Sequence, residues 1–319
     1  MLALHVLIFL ASCVLFYFCG GWIVKGLIRM SKALGWREFV VAFFVMAFAA
    51  SLPNLFVGIS AALRGIPQLS FGDVAGNNLV ALTVAVALAV FFSKGALPAE
   101  SRTIQTTSFF TMIAALLPLL LILDGALSRI DGALLICFFV FYLFWLFSKK
   151  ERFTKAYNKS GPPNFASLKV FLKDLGSLVL GVFLLIVAAQ GIISSARFFA
   201  VNFDIPIILI GLLITGFGSA LPEVYFAVIS AKKGENWMVL GNLMGAVIVP
   251  SALVLGIVAL IQPIEIFDFS SFAIARVFLM ISAVSFFLFV RTSRKISKKE
   301  GLFLVGIYIA FLATEILAR

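Results

Sequence analysis

The sequence has few charged residues, a single histidine and only three cysteines. Of its 319 residues, 12% are charged and 63% are apolar, whereas a soluble domain is about half apolar and about a quarter charged. This composition excludes an ordinary soluble enzyme. One histidine without a cysteine cluster leaves zinc without ligands. The cysteines form no CxxC pair and lie within apolar runs, so we expect buried thiols with no disulfide or metal role at Cys13, Cys19 and Cys137.

Other signatures of chemistry are missing as well. The sequence contains no P-loop, G-x-x-x-x-G-K-[ST], so no nucleotide is expected as an energy source. No catalytic set of His, Ser and Asp lies within an apolar run, so we predict neither an enzyme nor a cofactor. The net charge of +11 could indicate nucleic acid. In a chain this apolar, it is more typical of the cytoplasmic loops of a membrane protein, and nucleic acid is not expected as a partner.

What the sequence does contain is a series of long apolar runs. A transmembrane helix needs about 20 apolar residues, and helices are expected because open strands cannot satisfy their backbone groups in lipid. We therefore predict an all-α membrane protein with about ten transmembrane helices. The runs fall at about 2–24, 39–63, 72–93, 103–123, 130–148, 174–199, 205–231, 237–262, 271–290 and 301–318.

The basic residues are distributed unevenly over the connections between these runs. Of the 25 Lys and Arg residues, 20 lie in odd-numbered loops and 5 in even-numbered loops or at the C-terminus. Cytoplasmic loops carry such an excess, so we predict cytoplasmic odd-numbered loops, both termini outside, and a location in the plasma (inner) membrane. The basic stretch 149–173 is predicted to be a cytoplasmic linker that contacts anionic membrane lipids.

An internal repeat relates the two halves of the chain. An offset of 169 residues pairs segment 52–65 with 221–234, and segment 72–76 with 241–245. The two copies are five spans apart, so they cross the membrane in opposite directions. In transporters built from such inverted-topology repeats, the substrate site lies near the midplane, where broken helices of both repeats meet.

The repeat predicts a division into two five-helix units. The first unit is residues 1–148, with its repeat at about 39–93, and the second is 174–319, with its repeat at about 205–262.

Two prolines occupy matched positions within spans two and seven. Proline has no N–H and displaces the carbonyl four residues earlier, so Pro53 is expected to free the carbonyl of Ala49, and Pro222 that of Gly218. Unpaired carbonyls at this depth are tolerated where they line a cavity or face protein. Carbonyl, hydroxyl and carboxylate oxygens suit sodium or calcium. The matched prolines therefore favour a cation site over two merely kinked helices.

These segments resemble the α-repeats of the cation/calcium exchanger superfamily, which includes the sodium/calcium exchangers. That family reads roughly G-T-S-L-P-E, then G-N-x-x-G-S-N. Here the second copy reads GSALPE at 218–223 and GNLMGAV at 241–247, and the first reads AASLPN at 49–54 and GDVAGNN at 72–78. The resemblance implies a ten-helix fold and secondary antiport of inorganic cations, Na⁺ and Ca²⁺ or H⁺. It also implies that spans one and six move across a core of spans two, three, seven and eight.

The sequence departs from the family at positions that usually supply the central ligands. Glu223 is retained, but its counterpart is Asn54, and the two closing positions fall on Ala81 and Pro250. One carboxylate balances one sodium ion or one proton, whereas divalent ions are normally held by several anionic ligands. Sodium/calcium exchange is the leading expectation from the resemblance. Two alternatives stay open: a proton- or monovalent-cation-coupled antiporter without calcium transport, and a degenerate, non-transporting membrane scaffold.

Glu223 is the residue expected at the centre of the site, because a charge within a span usually faces the bundle interior or a wet cavity. Asp73 is either a second carboxylate in the ion path or a solvated helix N-cap at the outer mouth. Asn242 is either part of the site or packing between helices. The remaining candidates are oxygen donors, namely the side chains of Ser51, Asn54, Asn77, Asn78, Thr215 and Ser219 and the carbonyls of Ala49, Gly218 and Ala246, the last freed by Pro250.

Overall fold

The computed structural model describes residues 2–33, 46–148, 165–234, 236–266, 270–292 and 294–318. Within these ranges, the first half of the chain forms five helices. They are α1 (Leu2–Ala33), α2 (Met46–Leu63), α3 (Gln68–Val80, continued by a π-helical turn Ala81–Ala85 and by Val86–Phe92), α4 (Arg102–Leu121, ending in a 3-10 turn Ile122–Asp124) and α5 (Arg129–Ser148).

The second half forms five more helices in its described residues. They are α6 (Phe165–Phe203), α7 (Ile207–Ile210, a π-helical turn Gly211–Thr215, and Gly216–Lys233), α8 (Asn236–Ile248, a π-helical turn Val249–Val254, and Leu255–Ile261), α9 (Ser270–Thr292) and α10 (Lys298–Leu317).

The described helices suit a membrane protein in length and composition. Eight of them have a stretch long and apolar enough to cross a membrane. Within α1 and α2, the apolar stretches Leu2–Leu15 and Ser51–Leu63 are shorter. α3 and α8 form the centre of the bundle, since 83% and 78% of their membrane-length windows are buried within the protein, against 28% for α5 and α10. The outer helices therefore present their apolar faces to lipid, and the inner pair is surrounded by protein.

α1 and α6 extend well beyond the apolar runs that predicted them. α1 continues to Ala33, past the predicted end near residue 24, and α6 begins at Phe165. Residues 165–173 of the predicted linker are therefore helical. In this segment the apolar residues recur at helical spacing between polar ones, which favours a helix although the segment is not a continuous apolar run. Residues 149–164 of that linker, and residues 39–45 of the predicted second span, lie outside the described residues.

The prediction of a buried thiol is wrong for Cys137. Cys19 is buried and Cys13 is partly buried, but Cys137 is exposed on α5. Val140 and Phe141 on the same helix are also exposed. In a membrane protein an apolar run can face lipid as readily as protein, so apolarity alone does not predict burial.

Helix ends repeat at the same offset of 169 residues as the sequence motifs. Gly65 and Gly234, after α2 and α7, have φ angles of 76° and 78°. Gly125 and Arg294, after α4 and α9, also have positive φ angles, of 100° and 49°. The structural repeat thus extends beyond the proline-containing helices.

The starts of α5 and α10 repeat in the same way. The Ser128 N–H donates to Asp131 Oδ2 (2.8 Å), and the Asp131 N–H donates to Ser128 Oγ (3.3 Å). The Ser297 N–H donates to Glu300 Oε2 (2.6 Å), and the Glu300 N–H donates to Ser297 Oγ (3.4 Å). Each is a reciprocal capping box that satisfies otherwise unpaired backbone donors at a helix start.

Two short strand pairs join the halves. β1 (Leu97–Pro98) pairs antiparallel with β4 (Lys295–Ile296), and β2 (Ala126–Leu127) pairs antiparallel with β3 (Ile264–Glu265). β1 precedes α4 and β2 follows it, so the two pairs lie at opposite ends of the bundle. Each pair takes one strand from each half of the chain.

Glycines allow α3 and α7 to cross with their backbones in contact. A Cβ atom at Gly72 would collide with the carbonyl of Ile208, and one at Gly76 with the carbonyl of Leu212. On the opposite helix, a Cβ at Gly216 would lie 2.8 Å from the carbonyl oxygen of Asp73. Small residues at a helix interface permit this close approach in membranes. The crossing brings Asp73 against α7.

Candidate cation site

The predicted ligand side chains come from four helices that pack against one another. They are buried, apart from Ser219, which is partly buried. They lie on α2 (Ser51, Asn54), α3 (Asp73, Asn77, Asn78), α7 (Thr215, Ser219, Glu223) and α8 (Asn242).

Asp73 contacts the helix that carries Glu223. The Ser219 hydroxyl donates to Asp73 Oδ1 at 3.2 Å, and it also lies 3.2 Å from the Gly216 carbonyl of its own helix. The Thr215 hydroxyl donates to the Gly211 carbonyl at 2.9 Å and lies close to the same carboxylate. One oxygen of Asp73 is therefore held by α7.

The alternative of a solvated N-cap is wrong for Asp73. Its side chain is 2% exposed, and α3 begins at Gln68, with Pro67 as its N-cap residue. Proline is favoured at helix starts, so the helix begins more than a turn before the apolar run that predicted its start near residue 72. Asp73 thus lies within the helix and inside the protein.

Asn77 meets α8 at the carbonyl that Pro250 was predicted to free. Its Nδ2 donates to the Ala246 carbonyl at 3.1 Å, so this carbonyl is not left unpaired. Pro250 lies in the π-helical turn Val249–Val254, and the matching turn of α3 begins at Ala81. Asn77 and Ala246 are themselves related by the offset of 169. Residues at equivalent positions of the two sequence repeats are therefore in contact here.

Ser251 belongs to this buried polar cluster but was not predicted from the sequence. Its hydroxyl accepts a hydrogen bond of 2.7 Å from Asn78 Nδ2, and the side chain is fully buried in the same π-helical turn of α8. The available signal was a polar residue directly after a proline within an apolar run. π-Helical turns are frequent at functional sites.

Several buried polar atoms in this cluster have no hydrogen-bond partner. Buried polar groups are almost always paired, and leaving one unpaired costs about 1–3 kcal/mol. Five of the six unpaired atoms are oxygens on the packed helices α2, α3 and α7, and two of these oxygens belong to carboxylates. Oxygen donors of this kind suit a cation. The unpaired atoms are both side-chain polar atoms of Asn54, Asp73 Oδ2, Asn77 Oδ1, Asn78 Oδ1 and Glu223 Oε2.

The remaining predicted positions differ in their surroundings. A Cβ atom at Gly218 would meet nothing within 4 Å, so this residue, whose carbonyl Pro222 was predicted to free, borders open space. Ala49 lies in α2, but its side chain is outside the described residues. Ser51 and Asn242 are buried in α2 and α8. Among the described residues, no group of three or more His, Cys, Asp or Glu side chains is arranged to hold a metal ion.

The family model described as sodium/calcium exchanger protein matches residues 4–148 and 173–317. The chain belongs to this family. It is 25% identical over 347 residues to the sodium/calcium exchanger MaX1 of Methanosarcina acetivorans, with 98% of each chain covered. It is 26% identical over 292 residues to the inner membrane protein YrbG of Escherichia coli, with 89% of this chain and 88% of that protein covered.

A solved structure has the same fold. The sodium-calcium exchanger NCX_Mj, soaked with Na⁺ and Sr²⁺, matches with a TM-score of 0.68 and 25% identity, covering 98% of this chain and 99% of that one. The resemblance seen in the sequence and the predicted all-α membrane fold are confirmed. The family is one of cation antiporters rather than enzymes, while the ligand residues and the ions stay predictions.

Proposed function

We propose that this protein is a secondary antiporter that exchanges sodium for calcium through a site near the middle of the membrane. In this proposal α2, α3, α7 and α8 enclose the site, and Glu223 is its central carboxylate. The observation that carries the proposal is the group of buried oxygens without hydrogen-bond partners, to which Glu223, Asp73 and Asn54 contribute. Such atoms are costly in an apolar interior and become favourable when a cation binds them.

The mechanism uses one site that faces the two sides of the membrane in turn. Sodium and calcium exclude each other from the same carboxylate, so inward movement of one can drive outward movement of the other. The oxygen ligands of Glu223 and the asparagines replace the hydration shell of the ion, and no nucleotide is needed. The relatives support this choice of ions: MaX1 is named a sodium/calcium exchanger, and NCX_Mj was solved in the presence of Na⁺ and Sr²⁺.

A monovalent- or proton-coupled antiporter without calcium transport is the second candidate. Its support is that three positions that usually supply central ligands in the family carry no acid in this sequence, namely Asn54, Ala81 and Pro250. Few anionic ligands lower the affinity of a site for divalent ions. A non-transporting scaffold is the third candidate, and the transport experiment distinguishes all three.

The experiment is calcium uptake by purified protein in liposomes loaded with sodium, with sodium-free buffer outside. We expect sodium-dependent uptake that Glu223→Gln reduces to background, because this change removes the charge and keeps the shape. Asp204→Asn is the matched control: Asp204 is exposed, and its φ of 52° is one that asparagine also adopts.

Absence of calcium uptake, together with sodium efflux or proton movement measured in the same liposomes, would support the second candidate. Absence of every ion flux in a folded protein would support the scaffold. Equal uptake by the wild-type protein and Glu223→Gln would contradict the proposed role of Glu223.

We also propose a plasma-membrane location with both termini outside. The support is the excess of basic residues in odd-numbered loops, together with a relative named an inner membrane protein. Labelling of single cysteines introduced at residues 2 and 318 with a membrane-impermeant reagent in intact cells tests it. Labelling that requires cell lysis would reverse the orientation.

A further inference from the structure

The acids and amides of the site are distributed in a regular way between the two repeats. The offset of 169 residues pairs Glu223 with Asn54, and Asp73 with Asn242. Each pair thus contains one acid and one amide. The acids lie on α7 and α3, and the amides lie on α2 and α8.

The two acids belong to helices that touch each other. α3 and α7 cross with their backbones in contact, and Ser219 donates to Asp73 at 3.2 Å. Ser219 and Glu223 are four residues apart on α7, so they share a face, with Cβ atoms about 5–6 Å apart. Asp73 therefore meets α7 about one helical turn from the position of Glu223.

Inverted-topology repeats are related by a pseudo-two-fold axis in the membrane plane, so the amides, as repeat equivalents of the acids, are placed across this axis from them. Asn77 and Ala246 are also repeat equivalents, and the hydrogen bond between them places them next to this axis. The repeat equivalent of Ser219 is Ala50, which has no hydroxyl to offer Asn242. The first repeat therefore has no hydroxyl at the position equivalent to the one from which Ser219 donates to Asp73.

Resting on the proposed function, we infer that Asp73 is the second carboxylate of the ion site and that both negative charges lie on the α3–α7 side of the axis. The family positions occupied by Ala81 and Pro250 have no acid, and Asp73 supplies the missing charge from a different position on α3. Together with Glu223 it gives the site two negative charges, which one divalent cation neutralises. Asn54, Asn77 and Asn78 add neutral oxygens, each buried and without a partner.

The test measures binding of radioactive calcium to the full chain in detergent. Asp73→Asn is expected to weaken calcium binding by about tenfold or more, because affinity follows the number of charged ligands. Asp73→Glu keeps the charge and should restore part of the affinity. Asp73→Asn combined with Asn242→Asp should not restore it, since the new acid lies across the axis from Glu223. A fourfold variant adds Asn54→Glu and Glu223→Gln to these two changes. It places both acids at positions 54 and 242, on α2 and α8, and should recover measurable calcium binding.

Two results would overturn the inference while leaving the proposed function intact. One is Asp73→Asn with wild-type calcium affinity in a protein whose exchange still requires Glu223. The other is full restoration by Asn242→Asp in the Asp73→Asn background. A wild-type protein that binds and transports no calcium would instead overturn the proposed function and the inference with it. Size-exclusion profile and thermal unfolding, compared with Asp204→Asn, show whether each variant is folded.

Discussion

The two five-helix halves agree at their helix ends and disagree at the site. Gly65 and Gly234, which follow equivalent helices, have nearly equal φ angles. Ser128 and Ser297 are the N-cap residues of equivalent capping boxes. By contrast, the position equivalent to Glu223 in the other half is occupied by Asn54. The symmetric features determine how each half folds, and the asymmetric ones determine where charge lies. A structural repeat therefore predicts the scaffold of the second half from the first, but not its chemistry.

The largest expected difference between the halves is at positions 223 and 54. Glu223→Ala should abolish exchange in liposomes, because it removes a charge that no neutral group replaces. Asn54→Ala should leave measurable exchange with a calcium affinity several-fold lower, roughly the effect of one neutral ligand. An equal loss of exchange activity in the two variants would mean that the amide of Asn54 is as essential as the carboxylate of Glu223.

The close contact of α3 with α7 can be tested by adding a side chain between the two helices. Gly76→Ala introduces a Cβ that collides with the Leu212 carbonyl, and overpacking of this kind costs about 1–3 kcal/mol. We expect a lower thermal unfolding temperature in detergent for Gly76→Ala than for the wild-type protein.

Gly306→Ala is the control for that substitution, because a Cβ at Gly306 meets nothing within 4 Å. Alanine is favoured over glycine in a helix by about 0.5–1 kcal/mol, so its unfolding temperature should be unchanged or higher. An equally low value for the control and for Gly76→Ala would contradict the close contact.

Ser219 gives a smaller effect that is confined to binding. Ser219→Ala removes the hydrogen bond to Asp73 (3.2 Å) and is expected to weaken calcium binding about three- to tenfold, the equivalent of about 1 kcal/mol. Ser219→Thr keeps the hydroxyl and should restore the affinity. A change in unfolding temperature with unchanged affinity would assign Ser219 a purely structural role.

The capping boxes should show the smallest effects, and equal ones. Ser128→Ala and Ser297→Ala each remove a cap at a helix start, which costs about 0.5–2 kcal/mol. Thermal unfolding of the two variants should shift by the same amount, with ion affinity unchanged. Clearly unequal shifts would show that the halves differ in stability as well as in chemistry.

The sequence predicts the helices and the repeat well because both depend on apolar length and on proline or glycine at fixed spacing. It predicts Glu223 as a site residue because a charge within an apolar run is conspicuous. It leaves the position of Asp73 open, since burial depends on where α3 begins. It misses Ser251 and the exposure of Cys137, because both depend on which face of a helix meets protein.

The boundary of α6 was missed for a related reason. Lysines at 169 and 173 interrupt the apolar run, so composition indicates a loop, while the helical spacing of the apolar residues continues from Phe165. Composition locates the part of a helix that lies in lipid. The helix itself can be longer, because its backbone bonds do not require an apolar surrounding.

The strand pairs at the two ends of the bundle constrain how the protein can open. Each pair joins one half to the other, through β1 with β4 and through β2 with β3. The segments flanking α4 and α9 are thus linked into a closed frame that resists separation of the halves as two rigid blocks. In the described residues no strand links α1 or α6 to this frame, and these two helices pack on each other, with the Ser195 hydroxyl donating to the His5 carbonyl at 3.1 Å. In the proposed antiporter, access to either side of the membrane is therefore expected to change by displacement of the α1–α6 pair along this frame, the movement that the resemblance to the exchanger family implies.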